Sequence, residues 1–148
     1  MSATQKIVPF CIRYLVILSS FFYISGHTTP VVPVPADIPG ATTVTAEQLI
    51  DIAARLPDLV IIDSRIQEDR REGFIQNSIS LPDEDTNCKT LAQVVPKKTT
   101  PALFYCNGIK CGRSVRAVRI ALKCGYKDVY WFRGGFEEWT EKQYLFEK

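Results

Sequence analysis

Three short, unbroken apolar runs constrain this chain more than any other feature: Leu59–Ile62, Ala102–Tyr105 and Val129–Phe132. Runs with no polar alternation suit strands buried on both faces, which is the environment of a parallel sheet. Ile79–Leu81 is a weaker fourth run, cut by Pro82. Between the last two strong runs lies Arg113–Cys124, a predicted helix closed by Gly125, with Ala117, Ala121 and Cys124 on one stripe. A Thr-Ala-Glu-Gln capping box at Thr45–Gln48 opens another predicted helix, through Arg55. Its core side is expected to carry Leu49, Ile50, Ala53 and Ala54. A short helix is expected from Cys88 to Val95. Strands alternating with helices predict the α/β class, a three-layer domain with a central, mostly parallel sheet and helices on both faces.

The start of the chain has a different character. Lys6 and Arg13 carry the whole formal charge of +2, and the residues from His27 onward are balanced. A basic segment followed by the apolar run Tyr14–Ile24 and Ser25-Gly26 has the layout of a secretory signal peptide over residues 1–26. The same run, taken from Ile7 to Ile24, has just the length of a membrane anchor, with Arg13 reaching for the interface. Both readings imply export, to the periplasm or to the outer face of a membrane, tethered through residues 7–24 in the second case. Residues 27–40 hold Pro30, Pro33, Pro35 and Pro39 and are expected to form an extended linker. That leaves residues 41–148 for one folded domain.

The charge balance also excludes functions. A neutral domain gives no electrostatic footing for nucleic acid. His27 is the one histidine of the chain, and it falls in the linker, which removes Ser-His-Asp triads, Cys-His proteases and His-ligated metals. The cysteines contain no C-x2-C pair, so a structural zinc site is not expected.

In a parallel sheet, ligands bind beyond the carboxyl ends of the strands. The candidate places are Asp63-Ser64-Arg65, the loop from Cys106, and Arg133-Gly134-Gly135. The second carries the chemistry. Cys106, Asn107, Gly108, Ile109, Lys110, Cys111, Gly112 and Arg113 join a buried strand to a helix N-terminus. Two glycines let backbone amides turn inward, and the helix adds its own free N–H groups and positive dipole end. A cysteine at the rim of such a cup is expected to have a lowered pKa and to act as a thiolate nucleophile, while the pattern alone equally suits a buried, inert cysteine at a strand end. Lys110, Arg113, Arg116 and Arg119 make this edge locally basic, suiting a small anionic substrate. Cys111 is a candidate resolving thiol, and equally a plain loop residue or the partner of a resting disulfide. Cys124 is expected to pack in the core.

Several stretches resemble the rhodanese family. Ile62-Asp-Ser-Arg65 followed by Glu72-Gly-Phe-Ile-Gln-Asn-Ser-Ile-Ser-Leu-Pro82 is similar to its D-x-R … G-H-I-x-G-A-x-x-I-P pattern, with Phe74 in place of histidine and Asn77 in place of glycine. Phe104-Tyr-Cys106, Arg113-Ser114 and the string Gly125-Tyr-Lys-Asp-Val-Tyr-Trp-Phe-Arg-Gly-Gly-Phe-Glu-Glu-Trp139 match the rest. The resemblance implies a single-domain sulfurtransferase without cofactor or metal. Cys106 would attack the outer sulfur of thiosulfate, sulfite would leave, and a thiol or cyanide would collect the sulfur from a Cys106 persulfide. Asn107–Arg113 would bind the substrate, while Asp63 and Arg65 would brace the fold. The loop departs from the common C-x-x-G-x-R-S, because Arg113-Ser114 falls two residues later. It is also one residue longer than the C-x5-R of related phosphatases. Two other functions stay open: a persulfide-carrying or anion-binding module with little turnover, and a thiol–disulfide redox protein using Cys106 and Cys111.

Overall fold

The computed structural model describes residues 33–148, so the leader and anchor readings lie outside the described residues. The elements in order are β1 (Thr42–Val44), α1 (Ala46–Arg55), β2 (Val60–Asp63), α2 (Gln67–Arg71), β3 (Phe74–Ile75), β4 (Ile79–Ser80), α3 (Cys88–Val94), β5 (Ala102–Tyr105), α4 (Arg113–Lys123), β6 (Val129–Phe132), α5 (Gly135–Glu141) and β7 (Phe146–Glu147). The main sheet runs β1-β6-β5-β2-β4, and every pairing in it is parallel. A small antiparallel pair, β3 with β7, stands apart.

Alternate residues of the central strands feed two separate cores, which is what a sheet covered on both faces requires. Ile62, Ala102, Phe104, Val129 and Trp131 pack with Leu91 of α3 and with Val115, Ala117, Val118 and Ala121 of α4. Ile61, Leu103, Tyr105 and Phe132 pack with Ala46, Leu49 and Ile52 of α1 and Trp139 of α5. The α/β expectation is met, with β5 in the middle of the sheet and its whole length buried.

Local details differ from the pattern. The capping box of α1 forms as expected, the Thr45 side chain accepting from Gln48 N and the Gln48 side chain from Thr45 N. The buried face of α1 is Ala46, Leu49 and Ile52, whereas Ile50, Ala53 and Ala54 are exposed. An apolar stripe one position off is hard to separate from the true one when alanines flank both sides. The proline-rich stretch is not a free spacer up to Gly40. Ile38 is 2% exposed within the core, Val34 packs against it, and Arg133 Nε donates to Pro35 O at 2.9 Å. Burying a side chain of that size stabilises by about 2 kcal/mol, so the folded domain begins before Ala41.

Cys124 is likewise not a simple core residue. It caps the C-terminus of α4 and forms a disulfide with Cys88 at the start of α3, their Cα atoms 5.5 Å apart. Both helices lie on the same face of the sheet, so the bond clamps one of the two outer layers. The periodicity that placed Cys124 on an apolar stripe could not identify Cys88 as its partner.

Candidate active site

The C-terminal ends of β2 and β5 sit side by side, with Asp63 paired to Tyr105. Beyond β2, the chain buries a charged cluster. Asp63 Oδ1 accepts from Arg65 N and Nε at 3.0 and 2.9 Å. Its Oδ2 accepts from Arg65 NH2 (2.6 Å), Arg70 NH1 (2.9 Å) and the Tyr105 hydroxyl (2.8 Å). Burial, reinforced by the Asp63 charge, pushes the Tyr105 phenol up, so it stays a donor. The Arg65 guanidinium lies over the Phe136 ring of α5 at 4.4 Å and donates to Gly73 O. These charges face one another rather than a ligand.

Beyond β5 the chain enters the cysteine loop. The N-terminus of α5 pins its beginning: Phe136 N donates to Cys106 O at 2.9 Å, and Glu137 N to Asn107 O at 2.7 Å. Only glycine permits that approach at position 135, where φ is +61° and a Cβ would strike the Cys106 carbonyl oxygen. At Gly108 a Cβ would strike the Glu137 carboxylate, so Glu137 closes directly over the loop. Both ends are tied to α2 through Asp69, whose Oδ2 accepts from Asn107 Nδ2 (2.9 Å) and Arg113 NH1 (3.0 Å).

Inside this frame the two free cysteines meet. Cys106 is 1% exposed, and its Sγ lies 3.1 Å from both the Cys111 carbonyl oxygen and Ser114 Oγ. Trp131 Nε1 donates to the same Ser114 oxygen at 3.0 Å, which frees the serine hydrogen to point at the sulfur. The two free cysteines thus meet through the Cys106 sulfur and the Cys111 carbonyl, at the N-terminus of α4.

The expectation of a lowered Cys106 pKa is therefore corrected. The thiol interaction with Cys111, together with burial, pushes Cys106 up. Cys111 is lowered to about 6, its interaction with the Cys106 thiol first, then the Arg113 and Asn107 backbones, outweighing burial. These directions favour a thiolate at Cys111, the more exposed of the two residues, over one at Cys106.

The remaining loop residues take other places. Lys110 is exposed, and Ile109 is half exposed. Arg113, 35% exposed at its side chain, is held by Asp69 and, at 3.8 Å, by Asp83. With Glu137 over Gly108, the mouth carries carboxylates as well as cations, less basic than the sequence suggested. Further positive charge lies to one side: Arg116, itself paired with Asp83 at 3.5 Å, Arg119 and Lys123 line a groove of about 490 Å³ that runs past Gly112 along the segment Pro33–Pro35. Sequence reasoning missed Ser114, Trp131 and Asp69 as parts of the site. The Arg-Ser pair opening a helix was the one visible signal, since neither the indole contact nor the α2 carboxylate leaves a local pattern.

A parallel sheet covered by helices on both faces, with a cysteine at the end of its central strand and a loop leading from it to the next helix, places the chain among α/β domains with a site at the carboxyl ends of the strands. The chain belongs to the rhodanese-like domain family, whose family model matches residues 38–142. It is 32% identical to a rhodanese domain-containing protein of Drosophila melanogaster, CG4456, over 112 residues, 68% of this chain and 98% of that protein. Among solved structures it resembles the BH2092 protein of Bacillus halodurans (TM-score 0.63, 25% identity, 72% of this chain and 77% of that one). It also shares the fold of the human single-domain sulfurtransferase TSTD1 (TM-score 0.58, 24% identity, 70% of this chain and 98% of that one).

Proposed function

We propose that this protein is an exported sulfurtransferase that carries sulfane sulfur as a persulfide on Cys106. The observation that carries the reading is the position of that sulfur, at the end of the central strand, within 3.1 Å of Ser114 Oγ in the first turn of α4. In the first step the Cys106 proton passes to the Cys111 thiolate, and the Cys106 thiolate so formed attacks the outer sulfur of thiosulfate. A bond forms between the two sulfurs, and the bond to sulfite breaks, sulfite taking the electron pair. Ser114 and the loop amides hold the charge left on the persulfide, as donors do in an oxyanion hole. A thiol acceptor then attacks the outer sulfur and frees Cys106, a two-step displacement with ping-pong kinetics.

Export rests on the leader-like residues 1–26 and gains support from the Cys88–Cys124 disulfide, since such bonds persist mainly in oxidising compartments. The test is anaerobic incubation of the reduced protein with thiosulfate, followed at once by mass spectrometry and a sulfite assay. Sulfite release by the wild type, with no release and no label in Cys106→Ser, is the expected result. A wild type that releases no sulfite overturns the reading.

A second reading, the persulfide carrier with little turnover, is favoured by the carboxylates around the mouth. Asp69 and Asp83 already occupy Arg113, which leaves it poorly placed to hold a dianion. Thiosulfate turnover far slower than loading by a protein or low-molecular-weight persulfide would favour the carrier.

A further inference from the structure

Cys111 has a place in the loop that simple sulfur transfer does not require. The turn closed by Cys111 N to Gly108 O at 2.9 Å folds the residue back over Cys106. The Cys106 sulfur is 3.1 Å from the carbonyl of that same residue, so the Cys111 Cα lies within about 6 Å of it by bond lengths alone. The other two cysteines of the described residues are tied to each other, which leaves this pair as the free thiols. An outer sulfur added to Cys106 would therefore sit beside the residue that carries the second free thiol.

We propose that Cys111 is a resolving thiol that discharges the Cys106 persulfide inside the loop, releasing hydrogen sulfide and leaving a Cys106–Cys111 disulfide. The inference rests on the sulfur-transfer reading above. After loading, the proton on Cys111 passes to the outer persulfide sulfur, and the Cys111 thiolate attacks Cys106 Sγ. The Cys106–Cys111 bond forms, the bond from Sγ to the outer sulfur breaks, and HS⁻ departs with the electron pair. The sulfane sulfur is reduced and the two cysteine thiols are oxidised, so this step needs no other oxidant. An external dithiol returns the loop to its reduced state by exchange. The partly exposed position of Cys111 gives such a reductant a sulfur to attack.

The reaction gives the domain a second output. With an acceptor thiol at hand the persulfide is handed on; without one, the loop empties itself as sulfide and closes. The half-exposed Ile109 and the partnered Arg113 belong to the segment that would close over the bond.

The decisive experiment loads anaerobic, reduced and desalted full-length protein with thiosulfate. It then measures sulfite, sulfide and intact mass in the wild type, Cys111→Ser and Cys111→Ala. The wild type is expected to release one sulfide per sulfite and to end two hydrogens lighter, with peptide mapping placing the new bond at Cys106–Cys111. Both variants are expected to load more slowly, to release no sulfide and to stay one sulfur heavier. A wild type that retains the sulfur and releases no sulfide overturns the resolving role while leaving sulfur transfer intact. Sulfide release that persists in both variants overturns it as well. If no protein releases sulfite, the sulfur-transfer reading fails first and takes this one with it. The wild-type sulfide measurement needs no variant, so a folding defect cannot hide the answer.

Discussion

Two loops leave the same edge of the sheet from neighbouring strands, and they use their polar groups in opposite ways. After β2, Asp63 receives five donors, and Arg65 is 1% exposed with its charge neutralised at 2.6 Å. After β5, the Cys106 sulfur meets the Cys111 carbonyl and the Ser114 hydroxyl, and the two thiols form no covalent bond. The first loop satisfies its charges internally; the second is held from outside, by α5 and Asp69, and leaves its two thiols unbonded. A nucleophile with few strong partners of its own needs a neighbour that makes the frame, and Tyr105 joins the two. It is the residue before Cys106, and its hydroxyl is fixed by Asp63, Ser78 and Ile75 N.

The largest effect that would test this division comes from Asp63→Ala. It leaves Arg65 and Arg70 as buried cations without a counter-charge, and about 3–5 kcal/mol of stability should be lost. Urea unfolding measures it, and a loss under about 1 kcal/mol would mean that the β2 loop does not depend on its internal charge pairing. Ser114→Ala comes next. It strands the buried Trp131 N–H, costing about 1–3 kcal/mol, and it also removes a donor from Cys106. Sulfite release should therefore slow by more than the stability loss explains, provided that rates are taken well below the unfolding transition. Unchanged kinetics would make Ser114 a packing residue only.

A smaller and more selective effect is expected from pH. The folded value of Cys111, about 6, lies below its ordinary 9.0, so between these values the unfolded chain holds more protons than the folded one. This contribution is fully present above about 9 and disappears as pH falls through about 6. Cys106 acts in the other direction: its raised value makes stability fall as pH climbs above 9.0. Iodoacetamide should consequently label Cys111 first, with a rate that levels off above about pH 6, while Cys106 reacts slowly. Faster labelling of Cys106 at neutral pH would reverse the assignment of the thiolate.

Much of the sheet was legible because a strand buried on both faces has to be continuously apolar; Ala102–Tyr105 and Val129–Phe132 coincide with β5 and β6. Short elements carried no such signal. β1, β3 and β7 span two or three residues each and exist through pairing with partners far along the chain. Within the site, Cys106 and its loop could be placed because a strand end followed by glycines and a helix has a local pattern. The charge state could not. It depends on Cys111 turning back over Cys106 and on Asp69 and Glu137 arriving from other elements, and no spacing within the loop encodes these approaches. Asn77 lies between these cases: its φ of +62° explains why a glycine position tolerates asparagine.

The smallest expected effect probes the one loose end in the β2 loop. Ser64 is fully buried, and its hydroxyl has no hydrogen-bond partner, although its neighbours on both sides are saturated. A buried hydroxyl left unpaired costs on the order of 1–3 kcal/mol, and removing it recovers part of that cost. Ser64→Ala should therefore stabilise the fold by about 1 kcal/mol and leave sulfite release unchanged, which would sharpen the contrast between a structural loop and a reactive one. Destabilisation instead would show that the hydroxyl holds an ordered water. Because Ser64 N donates to Tyr105 O at 2.9 Å, such a water would lie beside the strand that presents Cys106. The two loops would then share a hydrated boundary, and the separation drawn between them would have to be moved toward the thiol.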